Sequence, residues 1–488
     1  MSKLTLQEML DICNPIDTYG LLPSSIGSVC VDSRLVSAGD VFVAVRGPSV
    51  DGHSFIEVAV KAGAAVVIAE TTVTIEGVFS IKVSDTRPLA GMLALAERGH
   101  PEMHMTLIGV TGTNGKTTVS TLVHQVMQTL GHQCGLIGTV EKRIGERVLE
   151  SHLTTPGPIE LAVDLSEMAN AGCTHVVMEV SSHALDQHRT DGLDFQVACF
   201  TNLTQDHLDY HGDMESYAAS KAKLFGRLRA DSVAIVNIDC PFVELVVSQT
   251  KAQRWNISFK AGSGNHIIEN GSNGIVLDME GTIIQSPLSG DFNAYNVSTA
   301  WLACIAAGCS PANAAAALST ATGAAGRLER VTGPTGSPIV FVDYAHTPDA
   351  LENVLKTVNS MRGTGNIIAV FGCGGNRDKT KRPLMGAIAA KYAEWVYVTS
   401  DNPRFEEPED IISDIVAGID NSVNLYREVD RSTAILAAVR MAGPDDIVLI
   451  AGKGHETYQE IKGVRYPMDD RLIAFEALSS NANNGEVV

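Results

Sequence analysis

The run Thr106-Leu107-Ile108-Gly109-Val110-Thr111-Gly112-Thr113-Asn114-Gly115-Lys116-Thr117-Thr118 decides how this chain is read. Its first half is an apolar strand, its second half a glycine-rich turn, and residues 119–130 carry a helical pattern. A strand that passes through glycines into a helix turns successive backbone N–H groups toward a polyphosphate, and the helix N-terminus adds positive potential. Lys116 reaches the β- and γ-phosphates, and Thr117 offers a hydroxyl to Mg²⁺. The glycine expected six residues before the lysine is Val110, with Gly109 one step earlier. The strand-to-helix context of Gly-Lys-Thr-Thr nevertheless predicts a nucleoside triphosphate site.

Working outward, 488 residues at 45% apolar and 19% charged composition are enough for about three domains. The formal charge of −20 opposes non-specific binding to nucleic acid or to anionic membranes. An anionic substrate must therefore be met by local arginines and lysines. The nine cysteines include no Cys-x-x-Cys pair and no zinc spacing, so they read as reduced thiols. The N-terminal residues have no signal-peptide core, and no apolar run approaches the ~18 residues of a membrane helix. A cytoplasmic protein without membrane insertion is expected.

Short apolar runs at 40–45 and 64–69, separated by Gly, Pro and Asp turns, predict a small α/β domain over 1–104. A central domain over 105–332 follows, with buried strands at 174–180, 197–200 and 232–237, and an alanine-rich helical region at 296–321 closes it. Alternation of strands with helices argues a mainly parallel sheet. The segment 332–338, with two Gly and two Pro, reads as a linker to a third domain over 333–488. Strand and Gly-loop units at 367–372 and 447–452, with a strand at 395–399, give that domain a Rossmann-like, doubly wound pattern with ligands at strand C-termini.

Glu179 stands at the end of a predicted strand and is followed by Val180-Ser181-Ser182-His183, with Gln187 and Arg189 close behind. A carboxylate emerging beside a phosphate loop can share Mg²⁺ with a nucleotide. A second short strand releases Thr201-Asn202-Leu203-Thr204-Gln205-Asp206-His207-Leu208-Asp209, where His207 is a candidate metal ligand or a structural hydrogen-bonder.

The ordered set of these motifs resembles the Mur ligases, the ATP-dependent peptide ligases of peptidoglycan synthesis. It continues through Tyr217-Ala218-Ala219-Ser220-Lys221, Gly326-Arg327-Leu328-Glu329, Asp343-Tyr344-Ala345-His346-Thr347-Pro348-Asp349, Asp401-Asn402-Pro403-Arg404 and Gly452-Lys453-Gly454-His455-Glu456. The resemblance covers nearly the whole chain. It implies three α/β domains: a uridine-nucleotide-binding domain, a P-loop ATPase domain and an amino-acid-binding domain. It also implies that a D-glutamyl γ-carboxylate of a UDP-muramoyl dipeptide attacks ATP, and that an amine displaces the resulting acyl phosphate.

The tetrapeptide Asp401-Asn402-Pro403-Arg404 accompanies meso-2,6-diaminopimelate as the added amine in this family, whereas lysine-adding members carry another residue in place of the arginine. The chemistry agrees, because diaminopimelate differs from lysine by a second carboxylate that a planar guanidinium grips bidentately. By the same resemblance, Lys116, Glu179, His207 and Lys221 are catalytic, and Thr117, Glu179, His207 and Lys221 surround Mg²⁺. Lys221 aligns with the family lysine that CO₂ converts to a carbamate (N6-carboxylysine), with Lys223 as the second possibility. ATP contacts are implied for Gly112, Thr113, Asn114, Gly115, Lys116, Thr117, Thr118, Asn293, Asn296, Arg327 and Asp343. The UDP-muramoyl dipeptide falls to Val31, Ser33, Pro48, Ser49, Val50, Thr154, Thr155, Ser181, Gln187 and Arg189. Diaminopimelate falls to Arg377, Asp401, Asn402, Pro403, Arg404, Gly452 and Glu456. A monomer acting on small molecules is expected.

Two alternatives stand beside this reading. A folylpolyglutamate synthase-like ligase shares the P-loop and the modified lysine, but should lack both the first domain and Asp-Asn-Pro-Arg. A P-loop switch or motor calls for a conventional aspartate after the second strand and leaves the third domain unexplained.

Overall fold

The computed structural model describes residues 4–47, 50–420 and 423–483. The chain divides into two compact units, one of residues 1–263 with 295–317 and the other of 264–294 with 318–488.

The first unit holds two sheets. The smaller, of five strands, runs in the order Asp17–Tyr19, Phe79–Lys82, Val66–Ala69, Val41–Val43, Val29–Cys30, and is parallel except for its first member. The larger has the order Gln253–Ile257, Val233–Asn237, Val197–Phe200, Thr106–Thr111, His175–Glu179, Cys134–Ile137, then Glu141–Ile144 and Arg147–Glu150. Its first six strands are parallel and its last two form antiparallel hairpins. Helices on both faces bury the central strands completely, so Val197–Phe200 and Cys134–Ile137 read as continuous apolar runs rather than alternating ones. The helices Leu89–Glu97 and Pro158–Asn170 pack together and join the two sheets into one unit. At their seam Gly91 has no room for a side chain, since a Cβ there would come within 2.9 Å of the Asp191 carbonyl.

The phosphate-loop helix begins at Lys116, three residues before the predicted start, and runs to Thr129. Gly115 precedes it in the left-handed region at φ 88°, which a glycine adopts at no steric cost. The predicted helical region 296–321 is two helices, Asp291–Ala306 and Pro311–Leu318. The break falls at Gly308, φ 102°, with Pro311 opening the second helix.

The second unit contains a meander of Asn265–Gly271, Gly274–Met279 and Thr282–Ser286, and a six-stranded sheet. That sheet has the order Glu329–Val331, Ile339–Asp343, Ile447–Ala451, Ile367–Phe371, Trp395–Val398, Asn424–Arg427, parallel except at its first pair. Here the linker expectation is corrected. Glu329–Val331 pairs antiparallel with Ile339–Asp343, so 332–338 is a hairpin loop inside one sheet. Gly and Pro serve a tight reversal as readily as an interdomain tether. No helix among the described residues is long and apolar enough to cross a membrane, and all nine cysteines are unpaired thiols.

Candidate active site

In the first unit, the C-terminal ends of four adjacent parallel strands deliver one cluster of polar groups, the placement open α/β sheets give their ligands. Thr106–Thr111 releases the phosphate loop, His175–Glu179 ends on Glu179, Val197–Phe200 leads into Thr201 and Asn202, and Cys134–Ile137 into Gly138 and Thr139. The loop is braced by its neighbour: Asn114 N donates to Asn202 Oδ1 at 3.0 Å, and Thr201 Oγ1 to the Asn114 carbonyl at 2.6 Å. Gly112 is indispensable in this arrangement, because a Cβ there would collide with Thr201 Oγ1.

Glu179 is fully buried. Thr117 Oγ1 donates to its Oε2 at 3.1 Å, while Thr139 donates through its backbone N (2.7 Å) and its hydroxyl (2.9 Å). Thr139, absent from the sequence reading, thus fixes the carboxylate. Its only signal in the sequence is the preceding Gly138, where a Cβ would lie 2.7 Å from Glu179 Oε1. Thr154 meets Thr139 at 3.0 Å, and Thr155 Oγ1 donates to the Glu179 carbonyl at 2.8 Å and accepts from Ser181 N.

Lys116 Nζ donates to the carbonyls of Gly112 (2.9 Å) and Thr113 (2.8 Å). The helix Met214–Gly226, capped by Asp213, aims Lys221 at the same loop, where its Nζ donates to the Gly112 carbonyl at 2.9 Å. Two lysine nitrogens thus share one carbonyl oxygen. Lys221 is 1% exposed, and burial, reinforced by the Lys116 charge, holds its amine well below the ordinary lysine range. Lys223 is instead paired with Asp186 at 2.7 Å. His207 packs edge-on against Tyr217 at 6.1 Å and His183 at 4.8 Å, and Lys221 Nζ lies 4.5 Å from the same Tyr217 ring.

Among the described residues, no group of three or more His, Cys, Asp and Glu side chains forms a metal cluster. The Thr117 hydroxyl and Glu179 carboxylate are the hard oxygen donors Mg²⁺ takes alongside nucleotide phosphates and water. An ammonium at Lys221 does not fit beside a cation.

A cavity of about 570 Å³ in the same unit is lined by Val31, Arg46, Arg87, Gln187, Arg189 and Tyr210, among others. Arg189 is held in it by the Thr155 carbonyl (2.9 Å) and Gln187 Oε1 (2.6 Å). Arg46 and Arg87 escaped the sequence reading, because nothing local distinguishes them from surface arginines. Ser33 is buried and Val50 exposed, and neither lines the cavity. Pro48 and Ser49 lie outside the described residues.

The C-terminal ends of three neighbouring strands build the cluster of the second unit. Ile367–Phe371 leads to the 372–377 loop, Trp395–Val398 to Asp401-Asn402-Pro403-Arg404, and Ile447–Ala451 to Gly452 and Glu456. Gly452, at φ 118°, lies so close to Asp401 that a Cβ would reach 2.7 Å from its carboxylate. Asn402 Nδ2 donates to Glu456 Oε2 at 2.8 Å. Arg404 Nη1 donates to the Gly375 carbonyl at 2.9 Å, and its Nε faces Glu460 at 3.4 Å. Arg377 is exposed and Pro403 buried. Lys453, fully buried, donates to Asn402 Oδ1 at 3.0 Å and Glu456 Oε2 at 2.8 Å.

One strand over, Asp343 accepts from the backbone of Leu328 and Ala345; burial raises its carboxyl above the usual range, against the pull of Arg327. In this unit Asn293 donates to the Ser289 carbonyl at 2.8 Å. Asn296 belongs to the first unit, where its Oδ1 lies against Gly115.

Three family models match the chain: "Mur ligase family, catalytic domain" over 25–104, "Mur ligase middle domain" over 110–304, and "Mur ligase, glutamate ligase domain" over 326–454. Two similar curated proteins, both described as UDP-N-acetylmuramoyl-L-alanyl-D-glutamate–2,6-diaminopimelate ligases, come from Cytophaga hutchinsonii and Parabacteroides distasonis. The first is 40% identical, covering 98% of this chain and 99% of its own; the second is 44% identical, with 95% and 97% covered. A solved structure described by the same ligase name is 34% identical, with a TM-score of 0.73 over 98% of this chain and 99% of that one.

Proposed function

This chain belongs to the Mur ligase family, with its three-domain architecture of mainly parallel α/β sheets; it is an ATP-dependent ligase that adds 2,6-diaminopimelate to UDP-N-acetylmuramoyl-L-alanyl-D-glutamate, and we propose that it does so through an acyl phosphate. The observation that carries the amine assignment is the junction of Asn402, Arg404 and Glu456 at neighbouring strand ends: a carboxylate to hold an ammonium group, a guanidinium and an amide to hold a carboxylate.

In the first step a γ-carboxylate oxygen of the D-glutamyl residue attacks the γ-phosphorus of ATP, and ADP leaves. In the second the diaminopimelate amine attacks the acyl carbon, inorganic phosphate leaves, and the amine gives up a proton. Lys116 and the loop N–H groups orient the phosphates and stabilise charge on the transferring group. Thr117, Glu179 and His207 would hold Mg²⁺, which when bound neutralises phosphate charge. The lowered proton affinity of Lys221 favours the neutral amine, which is nucleophilic toward CO₂; its nitrogen bonds the carbon, one proton is released, and the neutral amine becomes a carbamate anion. In a protein of charge −20, an anionic nucleotide sugar would meet Arg46, Arg87 and Arg189 in the first-unit cavity, where Arg46 faces Glu70 and Arg87 pairs with Asp85.

We assign the nucleotide-sugar domain to 1–104 and the ATP domain to the residues from 105 on. The amino-acid domain starts with the strand Glu329–Val331 rather than at 333. Unpaired thiols fit a reducing cytoplasm, where the chain is proposed to act as a monomer in peptidoglycan precursor synthesis. The test is phosphate release from ATP by the purified protein. Release that requires the UDP-muramoyl dipeptide and the amine together supports the ligase reading, and equal release from ATP alone rejects it in favour of a switch.

A further inference from the structure

Asn402 has three polar neighbours, and together they leave its amide one orientation. Oδ1 receives the Lys453 ammonium at 3.0 Å and the Glu460 backbone N–H at 2.9 Å, while Nδ2 faces Glu456 Oε2 at 2.8 Å. Both neighbours of Oδ1 can only donate, and a carboxylate can only accept. A flipped amide would set N–H against two donors and C=O against an anion, three unfavourable contacts at once. Lys453 is fully buried, its ammonium spent between Asn402 and Glu456 (2.8 Å) and near the Tyr458 ring at 5.4 Å. An ammonium so placed is costly to bury without partners. Its position therefore has to be explained by what it holds.

We propose that Lys453 is a positioning residue for the amino-acid substrate: it locks the Asn402 amide with the NH₂ group toward Glu456 and steadies Glu456. One hydrogen of Nδ2 goes to Glu456; the other is then the donor offered to a substrate carboxylate. Asn402 so oriented reads a carboxylate beside Arg404, and Glu456 reads an ammonium group. The pair recognises the zwitterionic end of an amino acid rather than a lone amine. This inference rests on the proposed amine site and adds to it a residue that touches no substrate itself.

The experiment compares wild type with Lys453→Met, a variant of similar stem length that cannot donate. KM and kcat are measured for meso-diaminopimelate, L-lysine, ATP and the UDP-muramoyl dipeptide. The expected result is a KM for diaminopimelate raised about 10- to 100-fold, as for loss of a hydrogen bond to a charged group, with KM for ATP within about twofold and lysine much less affected. Should Lys453→Met fail to fold, Asn402→Asp supplies the second test. It keeps an acceptor for Lys453 but has no donor left, so it too should raise the diaminopimelate KM selectively. An unchanged diaminopimelate KM in whichever variant folds, or equal losses for all substrates, overturns the role. If wild type prefers a different amino acid, the diaminopimelate reading falls separately. A selective KM rise for that amino acid in the variant still upholds the lock, and its absence overturns it.

Discussion

Replacing Arg404 by alanine isolates the discrimination between diaminopimelate and lysine. Arg404 has five N–H donors; Nη1 is taken by the Gly375 carbonyl and Nε faces Glu460, which fixes the plane of the fork and leaves its other donors for a ligand. The side chain is 24% exposed, as is that of Glu460. It is thus neither a surface charge worth little nor a fully desolvated one worth 3–5 kcal/mol. A charge-assisted contact in such a place contributes about 1.5–3 kcal/mol, which is roughly a 10- to 150-fold factor at 1.4 kcal/mol per decade. The kcat/KM for meso-diaminopimelate should fall by that factor, whereas lysine, which lacks the second carboxylate, should lose less than about threefold. Steady-state phosphate release with each amine, at saturating ATP and dipeptide precursor, gives both numbers. Equal losses for the two amines would refute the reasoning, because the arginine would then be holding the loop and not reading the carboxylate.

Four further outcomes follow from the geometry. Lys116→Ala should lower ligation by at least about 10³-fold with an unchanged melting curve, since its charge is needed when phosphates are present; near-normal turnover would remove the phosphate-loop assignment. Lys221→Ala should be almost inactive and partly rescued by short carboxylic acids that take the carbamate's place; a wild-type mass showing no added CO₂ at 221, with unaltered activity in the variant, would move that role to Lys223 or remove it. Because the folded chain holds the Lys221 amine well below its ordinary 10.5, the unfolded chain binds the extra proton between the two values; unmodified protein should gain stability as pH rises through that window, and Lys221→Met should flatten the trend in urea melts. Asp470→Asn should cost about 3–5 kcal/mol in denaturant unfolding, because it strands Arg431 in a fully buried ion pair; a loss under about 1 kcal/mol would show the charge is solvated after all.

Much of this was legible because the central strands announce themselves. Thr106–Thr111 and Ile447–Ala451 are apolar, β-branched and followed by glycine, so both the sheet and the edge where ligands sit could be read from local sequence. The meander at 265–286 was not predicted, since Asn265–Gly271 is largely polar and half-exposed and carries no clean alternation. The segment 332–338 reads as a tether in sequence because turn chemistry does not say whether the flanking strands pair. Motif residues such as Glu179 and Asn402 were found in the sequence, but the groups that orient them were not singled out. Thr139 and Lys453 act across 40 and 51 residues of chain, and only folding puts them against their partners.

The central claim is the choice of amine, and a direct competition tests it most closely. Wild-type protein is given ATP, the UDP-muramoyl dipeptide and equimolar meso-diaminopimelate and L-lysine, and the two UDP-tripeptide products are resolved by mass. A site whose arginine and oriented amide go unpaired when lysine enters should yield the diaminopimelate product in at least about tenfold excess. Equal products, or a majority of the lysine product, would contradict the account.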